Sequence, residues 1–291
     1  MTQLATGRAA AKALTFLIVL ALELPRAHAA DSTVVVTADA IGRAGPAGVV
    51  LVVGAAHRWV ELDGLAPLQR VRYVELHASA AVSPAQGEGS IGAEWVPIAP
   101  LQLRLDYTAF GYFGANGSRV SFPSPEARFG QSELDALSGR EEKGFGHRVR
   151  VSPVLRARVG ELVIRNQLDV DWYRMSDTPG WYYEAENDTL LSQSGFLLLD
   201  RAAVLYEWPD AGKSSLLLGP LYEVTHAFDA RLTRQRVGAA VFFSFGPTWL
   251  GLENARLFAL GGVNLQDRNR DGKPFAVFGL GGDLVLKRGK P

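Results

Sequence analysis

The chain of 291 residues contains no cysteine. A secreted fold stapled by disulfides is therefore excluded, and so is a lipid anchor attached to an N-terminal cysteine. Long apolar runs are also missing. The longest, Ala13 to Leu22, has about ten residues, whereas a helical span of a bilayer needs about 20. Beyond it, charged or polar side chains interrupt every hydrophobic stretch at each second or third position. There is no excess of charge of either sign: net charge is +0 and pI about 7.0, which argues against a nucleic-acid surface or an acidic tail. The sequence has no phosphate-binding Walker loop, no dinucleotide-binding glycine pattern and no clustered ligands among its five histidines. Neither a cofactor nor a metal is expected, and ordinary soluble-enzyme chemistry finds no support.

What is present begins with an export signal. Arg8 and Lys12 precede the apolar run, and Ala27-His28-Ala29 supplies small residues at a cleavage position. Residues 1–29 read as a signal peptide cut after Ala29, leaving 30–291 as one domain. With 47% hydrophobic residues, 31 Gly, 8 Tyr and 14 Phe, that domain is rich in strand formers and in punctuating glycine, which points to an all-β fold.

Residues His147 to Arg174 carry the clearest pattern. Arg148, Arg150, Ser152, Arg156 and Arg158 alternate with Val149, Val151, Pro153, Leu155, Ala157 and Val159. The period is two, so the segment is a strand. A turn at Gly160-Glu161 sets Val159 opposite Leu162, Arg150 opposite Asp171, Val151 opposite Val170 and Val149 opposite Trp172, and both arms then agree on their polar face. A soluble sandwich would bury the apolar face; a membrane barrel would turn it to lipid and its charges to the lumen.

Strand-like segments recur at 33–41, 48–60, 70–82, 89–97, 101–113, 146–159, 162–175, 181–191, 196–208, 215–227, 231–245, 254–266 and 274–286. Most are longer than strands of soluble domains and suit tilted membrane-spanning strands. Aromatic residues gather near their ends: Trp59, Trp95, Tyr112 with Phe113, Trp172 with Tyr173, Trp181 to Tyr183, Tyr206 with Trp208, and Phe242 to Phe245 with Trp249. They are expected to form interfacial girdles. These segments give an odd number of strands, and single-chain bacterial barrels have an even one. About 12 strands are expected, with the miscount in 176–266 or at the N-terminus. The segment 114–145 reads as a long loop or insert, compatible with a lumen plug, a surface lid or a disordered insert, with a short helix-compatible stretch over 132–137.

Signal peptide, two-faced strands and aromatic strand ends together resemble Gram-negative outer-membrane β-barrel proteins as a broad class, over roughly residues 33–286. The most specific element is the last strand, Gly281-Gly282-Asp283-Leu284-Val285-Leu286, which is similar to the terminal signal through which the barrel-insertion machinery handles that class. Leu286 holds the place where members usually carry Phe or Trp. The resemblance implies an antiparallel transmembrane β-barrel located in the outer membrane, with lipid, lipopolysaccharide and the insertion machinery as partners, the last through Gly281, Leu284 and Leu286. Charges in such a lumen are expected to pair across strands, Arg150 with Asp171 first, then Arg104, Asp106, Arg165 and Asp169, with Arg201, Glu207, Glu223, Arg234 and Arg236 as further partners. They would fill much of a small lumen and leave any pore narrow.

Two constellations bear on chemistry. Glu75, His77 and Ser79 share one strand face, and His77-Ala78-Ser79 resembles the His-x-Ser pair of outer-membrane lipid hydrolases, in which serine is nucleophile and histidine general base. Ala80 stands where those enzymes carry Asn, and a polar lumen stripe accounts for the same residues. Asp267, Asn269, Asp271 and Gly272 space like the start of a calcium loop. Phe278 occupies the closing position and Arg268 and Arg270 add positive charge, so a polar hairpin loop is the plainer reading, with contact of its arginines to lipopolysaccharide phosphates as the alternative. The expected function is a non-enzymatic narrow channel or structural membrane protein. A lipid hydrolase and a soluble periplasmic β-protein are the alternatives.

Overall fold

The computed structural model describes residues 31–44, 47–61, 72–116, 119–176, 180–209, 214–246, 249 and 252–288. The signal-peptide segment lies outside them. Among the described residues there are fifteen strands: β1 (Asp31–Ala44), β2 (Gly48–Glu61), β3 (Arg72–Val82), β4 (Gln86–Ile98), β5 (Leu101–Phe113), β6 (Ser121–Phe122), β7 (Lys143–Val159), β8 (Leu162–Met175), β9 (Trp181–Glu184), β10 (Thr189–Leu191), β11 (Ser194–Pro209), β12 (Ser215–Ala227), β13 (Leu232–Ser244), β14 (Glu253–Gln266) and β15 (Pro274–Arg288). One short helix, α1 (Gln131–Ala136), lies between β6 and β7.

Twelve of these strands close into an antiparallel barrel in the order β1-β15-β14-β13-β12-β11-β8-β7-β5-β4-β3-β2. Closure is made by β1 against β15, with Ala38 opposite Gly282 and Ile41 opposite Gly279. The other three strands form a separate small sheet, β10-β9-β6. This resolves the odd count: 181–191 is not a wall strand but two short strands of that second sheet, joined by a turn at Ala185–Asp188. Both long connections, 114–142 and 176–193, then emerge at the same end of the barrel, opposite the end holding Asp31 and Arg288. The hairpin 147–174 has the register its alternation predicts, with Val149 opposite Trp172, Arg150 opposite Asp171 and Val159 opposite Leu162. Gly160 takes φ 59, a left-handed conformation that glycine adopts without strain in so tight a turn.

The exterior is apolar. Val151 is 47% exposed and Leu155 55%, with Val49, Leu51 and Val53 on β2, Ile91 on β4 and Phe278 and Leu280 on β15 similarly open. So much contiguous exposed aliphatic surface is unstable in water and is what a bilayer covers. Closure leaves no edge strand to expose unpaired backbone groups in that layer. Trp59, Trp95, Tyr206, Trp208 and Trp249 ring the end bearing the first and last strand ends, and Phe113, Phe145, Phe196 and Phe228 ring the other, as aromatic girdles do.

Four other strand-end aromatics are not girdle residues. Tyr112, Tyr173, Tyr182 and Tyr183 are buried with Phe110, Val120, Phe122, Phe129, Met175, Leu190, Leu191 and Leu197. Neighbours such as Tyr112 and Phe113 point to opposite sides of the sheet, so only one of each pair can reach lipid. The inward members, together with 119–142 and 180–193, build a compact core inside one mouth of the barrel, with Phe129 tilted against Tyr183 at 5.7 Å and Tyr112 edge-on to Tyr182 at 6.4 Å. Each fully buried large side chain contributes about 1.5–3 kcal/mol. This core makes 114–142 part of an ordered cap rather than a free loop.

The wall is closely packed between β13 and β14. A Cβ on Gly262 would lie 2.0 Å from the Val237 carbonyl oxygen and 2.5 Å from Gly238 Cα. Both obstacles are backbone, so the strands must part to admit a side chain. Gly262→Ala is expected to cost about 1–3 kcal/mol, as overpacking does, and to lower the temperature at which the folded band disappears on a semi-native gel.

Candidate functional site

Inward-facing side chains form charge networks along the wall. Arg150 Nε and one terminal nitrogen donate to the two oxygens of Asp171 at 2.6 and 2.7 Å, a bidentate pair bridging β7 and β8. Arg104 makes a bidentate contact with Asp106 at 2.7 and 2.9 Å. Asp106 also meets His77 Nε2 at 2.7 Å. Arg58 pairs with Glu75 at 2.7 Å, Arg158 with Glu207 at 2.8 Å, and Arg256 bridges Asp39 and Asp283 at 2.7 and 3.1 Å.

Arg165 and Asp169 do not meet. They lie on the same strand four residues apart, beyond reach along an extended backbone that rises about 3.3 Å per residue. Asp169, fully buried, is instead bound by Arg201 from β11, and Arg165 donates to Gln167 Oε1 at 2.6 Å.

The hydrolase-like stripe faces the lumen. His77 Nε2 is engaged by Asp106, its Nδ1 stands 3.8 Å from Glu75, and Glu75 is held by Arg58. Ser79 has no hydrogen bond to His77, so the structure brings Glu75 and His77 together without the serine. The calcium-like loop is a turn: Asp267 Oδ1 accepts the backbone N–H groups of Asn269 and Arg270 at 2.7 and 2.9 Å, and Asn269 Oδ1 accepts that of Phe129 at 2.9 Å. No cluster of three or more acidic or histidine ligands occurs among the described residues. Arg270, expected at the surface, is buried. A carboxylate of the cap, Asp188, draws it inward.

Asp188 is the centre of a latch. It is 2% exposed, follows the β9–β10 turn with φ 50, and accepts from Arg270 Nε at 2.5 Å and from the Tyr183 hydroxyl at 2.8 Å. Arg234 and Arg236 of the β13 wall stand 3.6 and 3.9 Å away. A second latch is Glu186, bound by Arg148 at 2.7 Å, while Arg43 donates to the Glu186 carbonyl at 2.8 Å. Both latches tie the turn 185–188 to wall strands by ionic contacts.

Beneath the latches lies a cavity of about 790 Å³ that reaches the rim at the short β1–β2 and β3–β4 connections and descends to Arg165 and Leu205. It is not filled by paired charges, as the sequence reading expects. Ile41, Val50, Val52, Phe242, Phe258 and Leu260 make one side; Arg150, Arg165, Arg201, Glu223 and Arg236 make another. The signal for the apolar side is present in sequence: Val49–Val53, Leu257–Leu260 and Phe275–Leu280 are apolar on both faces, breaking the alternation seen in β7 and β8.

No protein-family model matches this sequence, and no curated protein matches it. Among solved structures, the translocator domain of the autotransporter NalP from Neisseria meningitidis aligns over 96% of this chain and 97% of that one, at 11% identity and a TM-score of 0.38. The β domain of the Bordetella autotransporter BrkA covers 89% and 100%, at 15% identity and 0.44. The COG4313 outer membrane channel from Pseudomonas putida F1 covers 89% and 96%, at 11% and 0.38. The fold of this chain rests on its own geometry, a closed twelve-stranded antiparallel barrel with an exposed aliphatic exterior. In this barrel the feature to explain is a latched cap over a half-apolar lumen.

The cap also sets a pH dependence. Burial by itself pushes the Glu186 carboxyl up, but Arg148, then Arg150, the Arg148 hydrogen bond and Arg43 outweigh it and hold the group at about 2. A depressed carboxylate stabilises the docked cap above its ordinary value of 4.5, and that contribution is lost as pH falls toward 2. Glu184 acts oppositely: burial, then the neighbouring Glu186, push its carboxyl up, so its protonation favours docking as pH falls. Glu186 is 36% exposed to lumen water, and screening limits the size of its effect. Cap docking, followed by protection of Phe129 and Tyr182 amides from hydrogen exchange, is expected to hold from neutral pH to about 4.5 and to weaken between there and about 2.

Proposed function

We propose that the chain is a non-enzymatic, narrow outer-membrane channel whose outward mouth is constricted by the latched cap. The observation that carries this reading is the lumen cavity, continuous from the rim at residues 47–49 and 83–86 down to Arg165, under a cap held by ionic contacts. A barrel serving only as a membrane anchor has no need of such a space. In this reading residues 1–29 direct export and both strand ends face the periplasm, so the cap faces outward. The aromatic girdles sit at the two lipid interfaces, with lipid and lipopolysaccharide around them. Leu284 and Leu286, exposed on the outer face of β15, and Gly281 on its inner face, present the terminal strand to the insertion machinery.

Two measurements test it. The detergent-extracted protein should migrate differently on a gel before and after boiling, and in planar bilayers it should give small, discrete ionic currents. A protein that purifies from the soluble periplasm without detergent, or that inserts into bilayers and never conducts, contradicts the proposal.

A further inference from the structure

We infer that the lumen cavity binds an amphipathic monoanion, its carboxylate on Arg165 and Arg201 and its alkyl chain along Val50, Phe242, Phe258 and Leu260. This inference rests on the channel reading and assigns its substrate class.

Three observations lead to it. First, the cationic side is undersupplied with anions. Arg165 makes no ion pair among the described residues, and its one hydrogen bond goes to neutral Gln167. Arg156 stands directly opposite it in the β7–β8 ladder. Arg201, on the next strand and one same-face position away, has the carboxylate of Asp169 as its ionic partner. Like charges set opposite one another in a sheet are destabilising. A bound anion would relieve the repulsion, and a guanidinium with unused donors is suited to a carboxylate fork.

Second, the facing side is apolar although it lines a water-accessible lumen. Phe242 and Phe258 stack at 6.3 Å on the inner surface of β13 and β14, and Val50 and Leu260 continue that surface. Leaving it wetted forfeits about 25 cal/mol for each Å² that a ligand could cover.

Third, both surfaces line one cavity of about 790 Å³, within the range of about 300–1,000 Å³ usual for small-molecule sites. A small inorganic anion would leave the apolar side unused, a neutral hydrocarbon would leave Arg165 unused, and an alkylammonium ion has the wrong charge.

The test is calorimetric titration of octanoate, below its micelle concentration, into the full chain in zwitterionic nanodiscs, with empty nanodiscs as baseline. Saturable binding is expected, weaker by at least tenfold in Arg165→Gln, restored toward wild type in Arg165→Lys, and weaker in Leu260→Asn. Acetate should bind at least tenfold more weakly than octanoate, and octylamine should show no saturable binding. Heat-modifiable migration of each variant shows that it is folded. Equal binding by octanoate and octylamine, equal binding by octanoate and acetate, or an unchanged affinity in folded Arg165→Gln overturns the inference. Octanoate binding by a protein that never conducts removes the channel reading and leaves the site. Currents without octanoate binding do the reverse.

Discussion

Asp188→Asn is expected to release the cap and raise single-channel conductance several-fold, while the barrel stays folded. The substitution keeps the shape of the side chain, and Asn tolerates the left-handed conformation that Asp188 adopts at φ 50. Only the charge is removed. Arg270 then loses the carboxylate 2.5 Å from its Nε, and Arg234 and Arg236 keep Glu223, at 3.5 and 3.4 Å, as their ionic partner beside neutral hydrogen bonds to Thr225 and Asn264. Breaking a buried pair by deleting one partner costs about 3–5 kcal/mol, a large penalty for a cap otherwise held by its aromatic core, the Phe129–Asn269 hydrogen bond and the Glu186 latch. The wall strands make no use of Asp188 in their pairing, so the boiled and unboiled bands on a gel should remain as in wild type. Unchanged conductance in a folded Asp188→Asn protein would mean that the cap does not constrict the path.

Val151→Arg is expected to cost about 2–4 kcal/mol of barrel stability, the penalty of an arginine on the lipid face near the bilayer midplane. Val151 lies at the middle of β7 and is exposed on the outside, opposite Val170. One residue away, Arg150 already carries the same charge without penalty because it points inward onto Asp171. Urea titration of the protein in lipid vesicles measures the difference. If Val151→Arg were neutral there, the apolar face of this hairpin would not be in lipid.

That hairpin shows why much of the fold is legible in the sequence. In β7 and β8 one face is charged and the other aliphatic, so a one-residue slip would put arginines into the bilayer, and a two-residue turn at Gly160 leaves no freedom in register. The cap is not legible for the opposite reason. Trp181–Glu184 and Thr189–Leu191 are two short strands around a polar turn, and in sequence they look like one wall strand of ordinary length. What distinguishes them is tertiary: Tyr182 and Tyr183 are buried against Phe129, and Asp188 is captured by arginines from β13 and from the β14–β15 connection. The same holds for the candidate site. Arg150 with Asp171 follows from register, whereas Arg201 with Asp169 is a diagonal contact across β8 and β11, and those strands adjoin because β9 and β10 belong to the cap and not to the wall. The apolar lumen wall did have a signal, the loss of alternation in Val49–Val53 and Phe275–Leu280, but a strand apolar on both faces reads equally as a buried one.

Single-cysteine labelling along 147–174 tests the barrel assignment most directly, since the natural chain has no cysteine to remove. With the protein in lipid vesicles, a cysteine at 149, 151, 155 or 172 should resist a charged maleimide and carry a probe quenched by lipid-phase quenchers. A cysteine at 156, 163 or 167 should react with the maleimide and escape that quenching. The two sets should alternate strictly along both strands. Reversed sets, or labelling without alternation, would contradict a barrel that places Val149 and Trp172 in lipid and Arg150 and Asp171 in its lumen.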